Sequence, residues 1–425
     1  MFGLGKSMEQ FIGKQDMTVP LSTAQGVKEV PFQRWFNFKE AFSPKFVIDS
    51  IKKTPIKVNQ ILDPFGGSGT TSLTAQLLGI KPSTIEVNPF IADLIQSKLQ
   101  TYNLDSLISD WLEVVKSVDS QAINLELLYS NGPSTLYKRP CTERWLFDES
   151  VLSRITQYRL SIESLENETN KCLLRVLLGA VLIPLSNVVI SGKGRRYRKN
   201  WQSRIVLKRD VDKLLETKVN DAIFDISKYS NRKEQEFHLY RGDARERFKE
   251  LETSDLVLFS PPYPNTFDYT DIYNVELWVL GYLNTSNDNK ELRQSTLRSH
   301  VQTKLEIVSP PVSDTLSATL NKLDSVRHQL WNKNIPDMVG SYFRDIESIL
   351  IESHRVLTPG GMVGIVIGDS RYANIKIDTA RITKEITDNI GLVFKEETTI
   401  RVMKSSAQQG WAKDLDETAL YFIKE

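Results

Sequence analysis

Asp63-Pro64-Phe65-Gly66-Gly67-Ser68-Gly69-Thr70-Thr71 is the stretch on which the fold turns. A short apolar run, Val58 to Phe65, leads into it and reads as a strand entering a tight turn. Ser72 to Leu78 reads as a helix stopped by Gly79. Ser83 to Val87 reads as a second short strand, carrying the acid Glu86. Strand, glycine turn, helix, strand is the opening of a doubly wound α/β sheet. Glycines at 66, 67 and 69 permit positive φ and a close approach of ligand to backbone. Asp63 stands at the carboxyl end of its strand, where open α/β sheets bind ligands. Glu86 follows at about the 20-residue spacing at which an acid binds ribose hydroxyls in dinucleotide folds. The chain has no G-x-x-x-x-G-K-[ST], which argues against a phosphate-cradling loop. Ser72 breaks a full G-x-G-x-x-G, which argues against a nicotinamide or flavin enzyme and fits a cofactor without pyrophosphate.

Upstream, Phe46, Val47, Ile48 and Ile51 fit a helix entered through Ser43-Pro44, with Ser43 placed to cap. Residues 1–30 are polar and without period, an N-terminal arm. From about 100 to 235 the periodicity is helical, as in Asp105–Val118, Asp148–Leu165 and Asn170–Leu185. Strand signals return at Phe237–Tyr240, Leu256–Phe259 and, after the turn Pro359-Gly360-Gly361, at Met362–Ile367. Thr398–Met403 and Thr418–Ile423 fit an antiparallel hairpin at a sheet edge. The expected layout is one α/β domain, residues 31–100 and 236–425, interrupted by a helical insertion at 101–235. A second insertion, about 284–335, is polar and separates two strands.

A chain of 425 residues fits two or three structural units at roughly 100–200 residues each. With 40% hydrophobic and 25% charged residues the balance is globular. The formal net charge is +1, so any nucleic-acid surface must come from local clustering. Cys141 and Cys172 make neither a disulfide framework nor a zinc pattern, and His238, His300, His328 and His354 are scattered, so no metal is expected. A reducing, cytoplasmic compartment is the expectation. The N-terminus lacks the apolar run of a signal peptide. The most apolar stretch, Leu173 to Leu185, is interrupted by Arg175 and Pro184 and is too short to span a bilayer, so no membrane association is expected.

The second motif is Ser260-Pro261-Pro262-Tyr263. Leu256-Val257-Leu258-Phe259 reads as a buried central strand that delivers it to the same sheet edge as Asp63. Two prolines lock φ and remove two N–H donors, leaving a rigid turn rich in acceptors. Acceptors suit an exocyclic –NH2: they orient its hydrogens and leave its lone pair facing a methyl donor. Tyr263 supplies a flat face on which a flipped base can stack.

With both motifs in place the chain resembles the amino-methylating DNA methyltransferases, which modify N4 of cytosine or N6 of adenine. The resemblance covers about 31–100 and 236–280 well, and 340–425 loosely. It implies a Rossmann-like methyltransferase sheet with a C-terminal antiparallel hairpin and a large helical insertion. Asp63, Pro64, Phe65, Gly66, Gly67, Ser68, Gly69, Thr70 and Thr71 look like the S-adenosylmethionine loop. Phe42 and Pro44, in Phe42-Ser43-Pro44-Lys45, look like the segment touching the methionine part. Glu86 corresponds to the ribose-binding acid. Asp243 and Ala244, in Arg241-Gly242-Asp243-Ala244-Arg245, are similar to the contact for the cofactor's adenine. Ser260, Pro261, Pro262 and Tyr263 correspond to the catalytic tetrapeptide, whose Ser tilts the reading to cytosine N4. The implied reaction is direct in-line transfer to a base flipped out of double-stranded DNA, in the setting of restriction–modification. A cognate restriction or defence protein is the partner this implies. Adenine N6, a base in RNA, or a non-catalytic nucleic-acid-binding module on the same fold are the alternatives. Target recognition often follows the catalytic domain in such enzymes; here that task falls to an insertion or another protein.

Residues 191–209 carry Lys193, Arg195, Arg196, Arg198, Lys199, Arg204, Lys208 and Arg209 with no acid, and Tyr197 and Trp201 are interleaved. Cations of this kind neutralise phosphates, and the aromatics can stack on a displaced base. Gly192 and Gly194 make the run a loop. Arg293, Arg298, His300 and Lys304 in the second insertion are a weaker candidate. Asp271 to Trp278 reads as a helix behind the catalytic turn, with Tyr269 and Tyr273 favoured as core residues over pocket residues.

Overall fold

The computed structural model describes residues 30–425, apart from 39–40, 141, 192–193, 231, 233–235, 303–305 and 405–412. Its centre is a seven-stranded sheet in the order β10-β11-β7-β6-β1-β2-β5. The strands are β1 (Gln60–Asp63), β2 (Lys81–Glu86), β5 (His238–Arg241), β6 (Ser254–Phe259), β7 (Leu357–Gly368), β10 (Leu392–Lys404) and β11 (Lys413–Lys424). The first five are mutually parallel, and β11 runs antiparallel to both β7 and β10. From β1 the chain moves to β2 on one side, while β6, on the other side of β1, leads away to β7. The connections therefore diverge between β1 and β6, and that switch point opens a crevice at the strands' carboxyl ends.

Side chains alternate across the central strands as the pleat requires. Ile61, Leu256, Leu258, Met362 and Val366 pack with Phe46 and Val47 of the helix Pro44–Lys53. Leu62, Val257, Phe259, Val363 and Ile365 pack on the other face with the helix Ile335–Val356. Ser43 caps the first of these helices by accepting the Phe46 N–H at 3.3 Å, with Pro44 in the first turn.

The stretch from 101 to 235 builds the helices Leu104–Ser117, Glu149–Glu163, Glu168–Leu185 and Lys208–Lys228. They share one apolar core with Phe90, Ile91, Leu94 and Ile95 of the helix Pro89–Leu99. The contact is close: a Cβ on Gly179 would lie 2.5 Å from the Phe90 ring. Phe32 and Trp35 donate to the buried Asp225 carboxylate from backbone and indole N–H, both at 3.0 Å, and tie residues 32–35 to the helix Lys208–Lys228.

Two local expectations are corrected and two features are added. The glycine-bearing stretch expected as a loop is a hairpin, β3 (Val188–Ser191) paired antiparallel with β4 (Gly194–Tyr197). The β-branched Val188-Val189-Ile190 supplies the strand propensity. β7 starts at Leu357, so Pro359-Gly360-Gly361 is an irregularity inside a strand, with Gly360 at φ 75. The polar stretch 284–335 holds two helices, Ser286–Gln294 and Asp314–Ser325, and the second buries Leu316 and Leu323. A short ribbon, β8 (Ser370–Tyr372) and β9 (Ile375–Ile377), was not foreseen. The expected N-terminal arm, residues 1–30, lies outside the described residues except for the buried Val30.

Candidate active site

β1 ends at Asp63, and the turn after it is held by its own backbone. Asp63 Oδ1 accepts the Phe65 N–H at 3.0 Å. The Gly66 N–H donates to the Ile85 carbonyl at 2.9 Å, and the Gly69 N–H to the Gly66 carbonyl at 2.8 Å. Gly66 has no room for a side chain: a Cβ would stand 2.5 Å from Thr84 Oγ1 and 2.7 Å from Ile95 Cδ1. Gly67 and Gly69 adopt φ 49 and 74, which suits glycine. Glu86 crosses from β2 to the loop, accepting the Gly67 N–H at 2.9 Å and the Asn88 N–H at 2.8 Å. Lys98 supports the loop from below, donating to the Ser68 carbonyl at 2.6 Å and to Gln33 Oε1 at 2.9 Å. Burial lowers the Lys98 ammonium to about 7. Burial also raises both carboxyls, Asp63 to about 6 against the opposing Thr71 and Phe65 hydrogen bonds, and Glu86 to about 7.

One cavity opens over this loop at the switch point. Phe42, Asp63, Pro64, Phe65, Gly66, Gly67, Ser68, Thr70, Glu86, Asp243 and Ala244 line it together with Ser260, Pro262 and Tyr263. The structure thus brings both motifs to one place. Pro44, Gly69, Thr71 and Pro261 do not line it. Asp243 is tied to its neighbour: Arg245 Nε lies 3.0 Å from each carboxylate oxygen, and the Arg245 N–H donates to Oδ1 at 2.9 Å.

The Ser260–Tyr263 turn is braced by Tyr372 and Glu417. The Tyr372 hydroxyl donates to the Pro264 carbonyl at 2.9 Å. The Tyr263 hydroxyl donates to Glu417 Oε1 at 2.7 Å and stands 3.2 Å from Ser260 Oγ. Burial, then the Glu417 charge, pushes the Tyr263 phenol well above its usual value.

Several lining residues were given another role by the sequence, and Glu417 was given none. Tyr269 and Tyr273 line the cavity, and Tyr273 is also buried and stacked on Phe38 with centroids 5.2 Å apart. The single helix expected over Asp271–Trp278 is instead two short ones, Tyr269–Ile272 and Asn274–Val279, broken at Tyr273. His300, considered for nucleic acid, lines the cavity instead, buried beside Thr296. Glu417 arrives from β11, some 150 residues after the turn, with no local signal to announce it.

The basic run is partly consumed by the fold. Arg198 donates to the carbonyls of Ser186 and Ile183, both at 3.0 Å, and so caps the helix Glu168–Leu185. Arg204 adds donors to Ser186 and Pro184. Arg195 pairs with Asp271 at 3.0 Å, linking the hairpin to a helix whose Tyr269 and Thr270 line the cavity. The expectation that the run lacks counter-charges is thereby corrected: acid and carbonyls arrive from distant sequence. Arg196 and Lys199 remain exposed. Tyr197 and Trp201 pack at 4.8 Å, Trp201 against Trp145 at 4.7 Å, beside Arg144. Lys193 and Lys304 lie outside the described residues. Arg293 and Arg298 are paired with Asp268 and Asp345.

The chain is 27% identical over 420 residues to the Type II methyltransferase M.AvaI of Nostoc sp. and of Anabaena variabilis, covering 91% of this chain and 84% of the relative. It is 26% identical to the Type II methyltransferase M.BsoBI of Geobacillus stearothermophilus, over 92% of this chain and 85% of the relative. Over nine-tenths of its length the chain is thus similar to Type II DNA methyltransferases. No protein-family model matches it. Among solved structures, the rRNA methyltransferase aviRa from Streptomyces viridochromogenes aligns over 90% of this chain and 86% of its own, at 11% identity and a TM-score of 0.30, too loose to add to the argument.

The methyl donor of the methyltransferase is S-adenosylmethionine. The donor set of the cavity fits that molecule. The buried Asp63 and half-buried Glu86 carboxylates stand ready for hydroxyl and ammonium hydrogens, and Phe65, Ile85 and Ile91 offer apolar walls. The glycine loop, with no side chain at 66 and 67, keeps that wall low. Among the described residues no cluster of His, Cys, Asp and Glu could hold a metal ion, and no helix is long and apolar enough to cross a membrane.

Proposed function

We propose that this methyltransferase acts on the exocyclic N4 amine of a cytosine flipped out of double-stranded DNA. The observation that carries the reading is the meeting of the glycine loop and Ser260–Tyr263 in one cavity. When bound, S-adenosylmethionine supplies an electrophilic methyl group on a sulfonium. Asp63 and Glu86 hold the polar parts of the cofactor, and Gly66 to Thr70 shape its seat. Phe42, on the upstream segment, serves the methionine side, and Asp243 with Ala244 the adenine side. Ser260 accepts an amine hydrogen, and Tyr263 offers its ring to the base. The amine lone pair is delocalised into the ring, so drawing its hydrogens aside makes it a better nucleophile. Holding it in line contributes several kcal/mol of the acceleration.

DNA is the macromolecular partner. The hairpin and its flank, with Arg196, Lys199 and the Tyr197–Trp201 pair exposed or half-buried, form the surface for its backbone. A cognate restriction or defence protein is the expected companion, and the cytoplasm the expected compartment.

Transfer of labelled methyl groups to DNA, and not to RNA of the same sequence, tests the reading. Ser260→Ala and Tyr263→Ala should keep cofactor affinity and lose transfer by about 10- to 100-fold each, the worth of a contact of about 1–3 kcal/mol. Full transfer in both variants would remove the catalytic turn from Ser260–Tyr263.

A further inference from the structure

We propose that Glu417 is a positioning residue that sets the direction of the Ser260–Tyr263 hydrogen-bond pair and is the resting place of the proton shed by the amine. The inference rests on the amino-methylation reading above.

An ionised carboxylate only accepts hydrogen bonds. At 2.7 Å from Glu417 Oε1, the Tyr263 hydroxyl must therefore spend its hydrogen there. Its oxygen is then left as an acceptor for the hydroxyl of Ser260, 3.2 Å away. With its own hydrogen used on Tyr263, Ser260 Oγ has lone pairs left for the cavity that all three residues line. Those lone pairs meet an amine's N–H. The polarity at the substrate is thus set two residues away.

Arg401 secures the carboxylate from β10, with Nε 3.0 Å from Oε2 and Nη2 3.3 Å from Oε1. Glu417 is 3% exposed, so bulk water does not compete for it.

The same chain accounts for a proton. As the N–C bond forms and the S–C bond breaks, one positive charge passes from donor to amine nitrogen, and a neutral thioether remains. The nitrogen must then release a proton. A serine hydroxyl is a poor place for it, since it carries no charge to neutralise. The amine proton moves to Ser260 Oγ, the Ser260 proton to Tyr263 Oη, and the Tyr263 proton to Glu417 Oε1. Serine and tyrosine end as they began, and the carboxylate ends as a neutral acid that later loses its proton to solvent.

Glu417→Gln is nearly isosteric and reverses the chain. Its amide N–H donates to Tyr263, which turns its hydrogen to Ser260, which turns its own towards the amine hydrogens. In the full-length protein with DNA and S-adenosylmethionine, the single-turnover rate should fall about 100-fold, the low end of what a positioned proton acceptor contributes. The KM for DNA, the cofactor affinity by calorimetry and the melting temperature should stay unchanged. Tyr263→Phe keeps the ring and cuts the chain, and should lose as much. The double variant should lose no more than either single one, because both cut the same chain. A wild-type rate in Glu417→Gln, multiplying losses in the double variant, or a loss confined to KM or cofactor affinity would overturn the proposal. Should Glu417→Gln melt early, Tyr263→Phe decides alone: a rate near wild type overturns the relay, and a 100-fold loss at unchanged cofactor affinity supports it. Wild-type protein that binds cofactor and leaves DNA unmethylated would instead refute the reading on which the relay rests.

Discussion

The glycine loop at 63–71 and the basic run at 191–209 are both conspicuous runs of sequence, and their side chains meet opposite fates. In the loop, most partners lie within the motif or one strand away: the Phe65 N–H, the Gly66 and Ile85 carbonyls and the Glu86 carboxylate, with the Lys98 side chain added from the next helix. The geometry therefore travels with the local sequence. In the basic run, Arg195 goes to Asp271 and Arg198 to the end of a helix. Which cations face solvent is decided by elements that only the fold brings near. A motif made of backbone geometry is readable locally, and a motif made of charge is not.

Breaking the loop should have the largest effect. Asp63→Ala should weaken S-adenosylmethionine binding by about 10- to 100-fold, since hydrogen bonds to a charged group contribute about 1.5–3 kcal/mol. Calorimetry checks this, and an unchanged affinity would remove Asp63 from the cofactor site. Arg198→Ala should leave cofactor affinity alone and lower stability by about 1 kcal/mol, because the helix-end carbonyls of Ser186 and Ile183 each lose one of their donors. Chemical denaturation reads that loss. If Arg198→Ala is as stable as wild type and weakens DNA binding, Arg198 belongs with the DNA surface after all.

The carboxyls sharpen the same contrast through pH. Asp63 near 6 and Glu86 near 7 both lie above their values in an unfolded chain. The folded, cofactor-free protein thus holds more protons than the unfolded chain in the window between. Its stability from these groups is greatest below about pH 4 and falls as pH rises through 6 to 7. Cofactor binding uses the ionised forms, so affinity should rise across that same window. Melting curves with and without cofactor, from pH 5 to 8, should show the cofactor's stabilisation growing with pH. A flat difference would contradict the assigned roles.

The smallest effect is expected at Arg196. It is exposed, so Arg196→Ala should leave stability unchanged. If it touches a phosphate, the slope of log DNA affinity against log salt should become shallower by roughly 0.9. An unaltered slope would move the phosphate contacts elsewhere.

Much of the sheet was legible because its strands are short apolar runs ended by turn residues. Leu256–Phe259 is buried on both faces as its composition demands. The helix cap at Ser43-Pro44 was legible for the same local reason. The hairpin at Val188–Tyr197 was hidden by its charge, since Arg195 and Arg196 mask a strand whose partner is β-branched. The cavity's far wall was hidden differently. Tyr269 and Tyr273 sit at helical spacing, and that spacing alone suits core as well as pocket. Nothing near Glu417 in sequence points to Tyr263, because antiparallel pairing of β11 with β7 is what carries it to the turn.

The central claim is that loop and turn together methylate a DNA base, with Ser260 inclining the choice to cytosine. Mass spectrometry of nucleosides from DNA treated with the purified protein and S-adenosylmethionine tests it most directly. The account predicts N4-methylcytosine, formed about 10- to 100-fold more slowly by Ser260→Ala. N6-methyladenine alone would contradict the choice of base, and unmodified nucleosides from protein that binds the cofactor would contradict the claim itself.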